Sequence, residues 1–129
     1  MIRVPVISKD TEMVETIRRV AASLHPQLEP VFFSDMASVV EYLKYELPEM
    51  KIIDCSTGGD NEHEAVAVLE AIKDDPWLHY GGVIAVHRGD EDKELLERLR
   101  DSNVIAVIRR REFLSNVDRL LRILTANKQ

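Results

Sequence analysis

The clearest candidate for chemistry in this sequence is Asp54, which ends the apolar stretch 50–53 and precedes the Gly-containing loop 55–61. In a chain that alternates strands with helices, an acid at this point lies at the carboxyl end of a parallel strand, where ligands and reactive groups collect. Four polar or charged residues are expected nearby, because they end or follow other predicted strands: Ser8, Lys9, His87 and Arg110. A divalent cation needs several oxygen ligands, and the predicted surroundings offer few further carboxylates. The pattern therefore indicates a variant of a catalytic centre and not a standard one.

Strands and helices alternate five times along the chain. Apolar runs bounded by polar or turn residues predict strands, and apolar residues at helical spacing predict helices. The predicted strands are 3–7, 29–33, 50–54, 83–86 and 104–108, and the predicted helices are 11–24, 36–47, 62–73, 91–99 and 114–126. Pro5 indicates an edge position or a local irregularity in the first strand, because proline cannot donate to a sheet ladder. The almost wholly apolar run 83–86 predicts a central strand covered on both faces.

Short polar residues mark where the first two helices begin. Asp10 is a candidate N-cap for helix 11–24, and Ser34 or Asp35 is a candidate for helix 36–47. The last helix carries three apolar residues that cannot all face one core: Leu121, Ile123 and Leu124. This surplus predicts a contact surface through which the chain could form a homodimer.

Five strand–helix units of this size predict an α/β fold of the doubly wound kind, with a five-stranded parallel sheet between two layers of helices. The result is a three-layer α/β/α sandwich. The chain of 129 residues has the size of one domain, and we expect residues 1–129 to form it. The pattern alone does not give the order of the strands.

Composition excludes several classes of function. The formal net charge of −6 argues against direct binding of nucleic acid, which needs clustered cations. The local basic run is Arg109 to Arg111, and alternation at a strand end lets only part of it share one phosphate. No apolar run could span a bilayer or serve as a signal peptide, so we expect a cytoplasmic protein with no membrane partner. The single cysteine, Cys55, permits no internal disulfide.

Two stretches of the sequence resemble the receiver (CheY-like) domains of two-component response regulators. The stretch from Pro48 to Asp54 (PEMKIID) is similar to the receiver stretch that ends in the phosphoacceptor aspartate, and Leu69 to Pro76 (LEAIKDDP) looks like the end of the family's third helix. The resemblance covers essentially the whole chain. It implies a flavodoxin-like strand order, and it makes Asp54 the phosphoacceptor position.

The same resemblance implies a degenerate magnesium site. The acidic pair with which the family holds Mg²⁺ falls on Ser8 and Lys9, and only the adjacent Asp10 is acidic. Phosphoryl transfer to a carboxylate needs a metal to neutralise the phosphate. One hypothesis is that the Lys9 ammonium pairs with Asp54 and stands in for the metal. The alternative is that Lys9 points into solvent, as most lysines do.

Other receiver positions also depart from the family pattern. The hydroxyl residue after the fourth strand falls on His87, and the aromatic switch position falls on Val107. The family's lysine after the fifth strand falls on Arg110, although a shift by one residue to Arg109 or Arg111 stays open. The resemblance therefore implies an atypical receiver, or pseudo-receiver.

Several of these residues also have a purely structural interpretation. Asp54 could cap a turn, and His87, with no Ser or Cys nucleophile plainly paired to it, is expected to be a surface residue at a strand end. The four histidines have no spacing that favours a zinc site. Trp77 and Tyr80 are expected to pack over the sheet edge, although an exposed pair would suit an interface.

Two classes of function remain. The favoured one is a non-enzymatic, receiver-like signalling module that acts through protein contacts made by the fourth predicted helix, the fifth strand and the last helix. Its partners would be a signalling kinase, an output domain or a downstream target, and it would need no cofactor, with Mg²⁺ bound only if the site works. A conventional receiver phosphorylated on Asp54 is the nearer alternative. A small enzyme or ligand-binding domain using Asp54 and His87 is the other.

Overall fold

The computed structural model describes residues 1–56, 66, 67, 69, 70, 72–89 and 93–126. Its five strands are parallel and form one sheet in the order β2-β1-β3-β4-β5. The strands are β1 (Ile2–Ile7), β2 (Leu28–Phe33), β3 (Met50–Asp54), β4 (Gly82–His87) and β5 (Ala106–Arg109). This is the flavodoxin-like order of doubly wound folds. The predicted fold class is confirmed, and β4 is a central strand as predicted.

Helices cover both faces of the sheet. They are α1 (Thr11–Ala22), α2 (Met36–Leu43), α3 (Lys93–Asp101) and α4 (Arg110–Ala126). Residues 66, 67, 69, 70, 72 and 73 are also helical, and the other residues of the predicted helix 62–73 lie outside the described part. None of the helices in the part of the chain that the structure describes is both long and apolar enough to cross a membrane.

Two apolar cores lie on the two sides of the sheet. One lies under α1 and α4 and includes Met13, Ile17, Phe113, Val117 and Leu121. The other lies under α2, the described helical residues between 66 and 73, and α3, and it includes Val39, Leu43, Leu69, Ile72 and Leu99. Successive side chains of each strand point to opposite faces of the sheet and so lie in opposite cores. The result is the predicted three-layer sandwich.

The predicted edge position of Pro5 is wrong. β1 lies between β2 and β3, so it is an interior strand. The predicted irregularity is present on the side of β1 that faces β3. There β1 pairs only through Val6 and Ile7, which follow Pro5. Pairing with β2 runs along the whole of β1, from Ile2 to Ile7.

The largest boundary difference lies between β5 and α4. The strand ends at Arg109 and the helix begins at Arg110, four residues earlier than predicted, so no loop separates them. The charged residues 110–112 suggest a loop in the sequence, but they form the exposed side of a first helical turn. Phe113, which is 1% exposed, holds that turn against the core. α2 is one turn shorter than predicted and ends at Leu43.

Candidate functional site

The centre of the candidate site is a buried carboxylate held by two serines. Asp54 ends β3 with 5% of its surface exposed. Its Oδ2 accepts a hydrogen bond of 2.6 Å from the Ser8 hydroxyl, which follows β1. Its Oδ1 accepts from the Ser56 backbone N–H at 2.8 Å and also from the Ser56 hydroxyl. Both oxygens are thus hydrogen-bonded, and all three donors are uncharged.

The Ser8 hydroxyl is fixed by a second contact. It accepts a hydrogen bond of 3.0 Å from the Asp10 N–H while it donates to Asp54. A hydroxyl with both a donor and an acceptor partner has a defined orientation, because its single proton is already committed. Ser8 therefore acts here as a positioned donor to the carboxylate.

Asp10 and Arg110 form a separate charged pair at the same edge of the sheet. Arg110 Nε donates to Asp10 Oδ2 at 2.6 Å, and a second guanidinium nitrogen lies 3.5 Å from Glu12 Oε2. The hydrogen bond from Arg110 lowers the pKa of Asp10 below its ordinary value. Asp10 also caps α1 by accepting from the Glu12 and Met13 N–H groups. The predicted N-cap is confirmed, and Arg110 binds Asp10 and Glu12 rather than Asp54.

The structure does not pair Lys9 with Asp54. Lys9 is exposed, and the hydrogen bonds of Asp54 come from Ser8 and Ser56. The pKa of Asp35, the N-cap of α2, is lowered mainly by its hydrogen bonds to Ser38 and in smaller part by the charge of Lys9. The charge-pair hypothesis is therefore wrong for this structure. Lys9 is exposed and lies close enough to α2 to act on Asp35, which agrees with the alternative of an outward-pointing side chain.

His87 ends β4 and is buried, with 7% of its surface exposed, so the expectation of a surface residue is wrong. Its neighbour Val86, and not His87 itself, is the register partner of Asp54. The register partner of His87 in β5 is Arg109. Neither His87 nor Arg109 donates to Asp54, so the structure does not assemble an Asp54–His87 pair.

The described donors near Asp54 do not fit a magnesium ion. Within the described ranges, no three His, Cys, Asp or Glu side chains converge as metal ligands. Asp54 is the one carboxylate among the three predicted positions Ser8, Lys9 and Asp54, and Asp10 is held by Arg110. Mg²⁺ requires near-octahedral oxygen coordination. We therefore derive no step through a metal at this site.

The comparisons with known proteins rest on structure. No protein-family model and no curated protein sequence matches the chain. Its fold is similar to the phosphorylated cyanobacterial phytochrome response regulator RcpA, with a TM-score of 0.75, 17% identity, and coverage of 95% of this chain and 89% of that one. The chain has the fold of a response-regulator receiver domain.

Two further receiver structures have the same architecture. A response-regulator receiver domain from Rhodospirillum rubrum matches with a TM-score of 0.75 and 15% identity, covering 97% of this chain and 94% of that one. The Mn²⁺-bound response regulator Rcp1 matches with a TM-score of 0.72 and 13% identity, covering 92% and 90%. At identities this low, the similarity shows the fold alone. What the site can do chemically has to be argued from the residues of this chain.

Sequence reasoning missed Ser56. It stands two residues after Asp54 and supplies both a backbone and a side-chain donor to the same carboxylate oxygen. Asp followed two residues later by a backbone N–H that it accepts from is a common local turn. The signal was therefore present in the sequence, as a serine two residues after a strand-end aspartate.

Proposed function

We propose that the chain is a receiver-like module of two-component signalling that is not switched by ordinary phosphorylation of Asp54. It acts through protein contacts and catalyses no reaction of its own. The proposal takes residues 1–129 as one such domain and expects it in the cytoplasm.

One observation carries this proposal: both oxygens of a buried Asp54 are already hydrogen-bonded to Ser8 and Ser56. A phosphodonor must reach one of these oxygens in line, and it competes there with the hydrogen bonds that the oxygen already accepts. A hydrogen bond to a charged group contributes roughly 1.5–3 kcal/mol, which would slow attack by about one to two orders of magnitude. Within the described part of the chain, no three His, Cys, Asp or Glu side chains converge on a metal site that would compensate.

Exposed apolar residues support a role in protein contacts. Tyr45, Trp77 and Tyr80 are 76%, 51% and 50% exposed. The indole N–H of Trp77 donates to the Lys44 carbonyl at 3.0 Å, which brings Trp77 beside Tyr45. Trp77 and Tyr80 are each about half exposed, which fits the alternative that they form part of an interface.

A second apolar position is on α4. Ile123 is 53% exposed, while Val117 and Leu121 on the same helix are buried. The exposure of Ile123 agrees with the prediction that the apolar residues of the last helix cannot all face one core, on which the homodimer was based. The kinase, output domain or target remains a protein partner in this proposal, and neither nucleic acid nor membrane is included.

A conventional receiver is the second candidate, because Asp54 keeps the strand-end position on a receiver fold. RcpA, one of the similar structures, is described as phosphorylated. The enzyme alternative has no matching observation, since the hydrogen bonds of Asp54 come from the two serines and not from His87.

Intact-mass spectrometry separates the first two candidates. The protein is incubated with a small-molecule phosphodonor and Mg²⁺, beside an ordinary receiver as positive control. We expect no phosphoryl adduct under conditions that label the control.

Two variants locate any adduct that does form. Asp54→Asn removes the phosphoacceptor, and Asp101→Asn makes the same change at an exposed aspartate at the end of α3. An adduct that is lost in Asp54→Asn and kept in Asp101→Asn would identify a working receiver and contradict the proposal.

A further inference from the structure

Exposed apolar side chains are concentrated at the edge of the sheet opposite Asp54. Among the residues that the structure describes, seven large apolar side chains are exposed, and six of them lie within five residues before the start of a strand. Because the strands are parallel, these starts share one edge of the sheet, and Asp54 lies at the other. Five of the six precede the neighbouring strands β3, β4 and β5: Tyr45, Leu47, Trp77, Tyr80 and Ile105. We call these five side chains the apolar edge.

The segments that carry the apolar edge are held against one another. The Gly82 N–H donates to the Glu49 carbonyl at 2.9 Å. Gly81 has φ +82°, and a Cβ built there would collide with the Pro48 carbonyl oxygen, so glycine alone fits this close approach. A Cβ on Gly82 would lie 2.8 Å from Cδ1 of Ile105, so the Ile105 side chain lies against that glycine. The segments before β3, β4 and β5 therefore form one continuous surface.

Trp77 is fixed in place at the apolar edge. Its indole N–H donates to the Lys44 carbonyl at 3.0 Å, and its backbone N–H donates to Asp75 Oδ1 at 3.0 Å. The polar group of the indole is thus already used within the chain, while about half of the residue stays exposed beside Tyr45. A side chain that is already immobilised loses little conformational entropy when a partner covers it. Trp77 is therefore suited to anchor a partner.

Two carboxylates lie next to Trp77. Asp74 and Asp75 are both exposed, and within the described part of the chain neither forms an ion pair. Asp75 Oδ1 accepts from the N–H groups of Trp77 and Leu78, which fixes this carboxylate beside the indole. The apolar edge thus combines aromatic surface with negative charge that a partner can pair.

The lysines of the same segments interact with other carboxylates. Lys44, at the end of α2, lies 3.1 Å from Glu41 of that helix. The pKa of Glu70 is lowered by its hydrogen bond from Arg98 and in smaller part by the charge of Lys73. Neither lysine pairs with the two aspartates beside the indole, so a cation from a partner has access to them.

This combination favours a cationic protein partner. Arginine and lysine side chains have an apolar stem that covers apolar surface and a charged head that pairs with a carboxylate. A guanidinium over the face of a tryptophan is also attracted by the π electrons of the ring. A nucleic acid or an anionic membrane would instead bring negative charge towards Asp74 and Asp75.

We propose that the apolar edge binds a basic segment of a partner protein. Arginine or lysine side chains of that segment lie over Trp77 and pair with Asp74 and Asp75, and its apolar side chains cover Tyr45. The proposal rests on the proposed function in that it names the kind of partner for the protein contacts. It does not depend on whether Asp54 is phosphorylated, so the phosphodonor experiment and the one below can fail independently.

Titration with a basic peptide, followed by tryptophan fluorescence, tests the proposal. Trp77 is the single tryptophan of the chain, so its emission reports on the apolar edge directly. The probe is a short synthetic peptide in which arginine alternates with leucine, at physiological ionic strength. The comparison peptide has glutamate in place of every arginine.

The test variant for the charges is Asp74→Asn with Asp75→Asn. Asparagine removes the charge and keeps the side-chain oxygen that accepts from the Trp77 N–H. The matched control is Glu15→Gln with Asp118→Asn, which removes two exposed carboxylates from the middle of α1 and of α4. Circular dichroism checks that every variant is folded.

A second pair of variants tests the apolar contribution. Tyr45→Ser removes an exposed side chain of the apolar edge, and Ile123→Ser makes the same kind of change on α4. Both variants keep Trp77, so the same fluorescence titration applies. Tyr45→Ser should weaken binding of the arginine peptide, and Ile123→Ser should leave it unchanged.

We expect a saturable change of Trp77 emission with the arginine peptide and none with the glutamate peptide. The double aspartate variant should bind about fivefold more weakly, the factor that two exposed ion pairs provide, and its matched control should bind like the wild type. Undiminished binding by the folded double aspartate variant would overturn the proposal, as would equal loss in its control, equal binding of the glutamate peptide or no saturable change in the wild type.

Two further outcomes would assign the apolar edge to another partner. An emission change with protein concentration alone, without a response to the arginine peptide, would overturn the proposal in favour of a second copy of this chain. A response to phosphatidylcholine vesicles, again without a response to the peptide, would overturn it in favour of a membrane.

Discussion

Lys51 is a charged residue whose surroundings the sequence did not reveal. It lies in the middle of the apolar strand β3 and is 0% exposed. Its ammonium donates to the carbonyl of Tyr80, two residues before β4 begins. Burial lowers the pKa of Lys51 from 10.5 to about 8, because the charged form loses its hydration.

This burial predicts a pH dependence of stability. The unfolded chain keeps the Lys51 proton up to about pH 10.5, whereas the folded chain releases it near pH 8. Between these values the unfolded state binds more protons, so the free energy of unfolding rises with pH, by roughly 1–3 kcal/mol. Urea unfolding at several pH values should show this rise in the wild type and in Lys93→Met, an exposed control. The same rise in Lys51→Met would contradict this explanation.

Residue types could be predicted at the candidate site, but their partners could not. Asp54 and Ser8 follow directly from strand-end positions, since carboxyl ends of parallel strands meet at one edge. The contact between them depends on side-chain rotamers and on a 2.6 Å distance that spacing does not determine. The direction of Lys9 stayed open in the sequence for the same reason, because a long flexible side chain can reach either the site or solvent.

Asp10 links two helices that are far apart in sequence. It caps α1 through the Glu12 and Met13 N–H groups, and it binds Arg110, the first residue of α4. The cap is local and was readable from the sequence. The contact with α4 could not be predicted from the sequence, because its two residues are 100 positions apart.

Two substitutions separate the cap from the ion pair. Asn is as good an N-cap as Asp, so Asp10→Asn should lose mainly the partly exposed ion pair, up to about 1 kcal/mol. Asp10→Ala should lose a further contribution of about 1 kcal/mol from the cap. Urea unfolding at pH 7 measures both, and equal losses would rule out a contribution from the cap.

The difference in unfolding free energy between the wild type and Asp10→Asn should also depend on pH. The pKa of Asp10 is lowered in the folded state, so its ion pair stabilises the fold above the ordinary value of 3.8. As the pH falls through the lowered pKa, Asp10 becomes protonated and the advantage of wild type over Asp10→Asn should disappear. A difference that persists unchanged at low pH would show that the charge is not responsible.

The boundary error at the junction of β5 and α4 has a specific cause. Periodicity identified the strands and helices that the structure describes, but the charged residues 110–112 were assigned to a loop. A helix can begin on three charged residues when the next apolar residue, here Phe113, is buried. Tertiary packing then overrides the local signal.

The whole molecule has the receiver fold, and Ser8, Asp54 and His87 lie at the carboxyl ends of its strands. Pattern and resemblance predicted the α/β/α architecture, because apolar alternation, helix period and right-handed crossovers leave few arrangements. They did not predict how the residues at these strand ends would be arranged. In the structure, two serines hold Asp54 while Arg110 holds Asp10.

We propose that Ser8 and Lys9, in place of the acidic pair of other receivers, remove the ordinary phosphorylation chemistry from this receiver fold. The most direct measurement is the Mg²⁺ affinity, by calorimetry, of the wild type and of the variant Ser8→Asp with Lys9→Asp. Two carboxylates beside Asp54 recreate an oxygen site for the ion. We predict no measurable binding by the wild type and clear binding by the variant. Equal Mg²⁺ affinity in both proteins, or no gain in a folded variant, would contradict the claim.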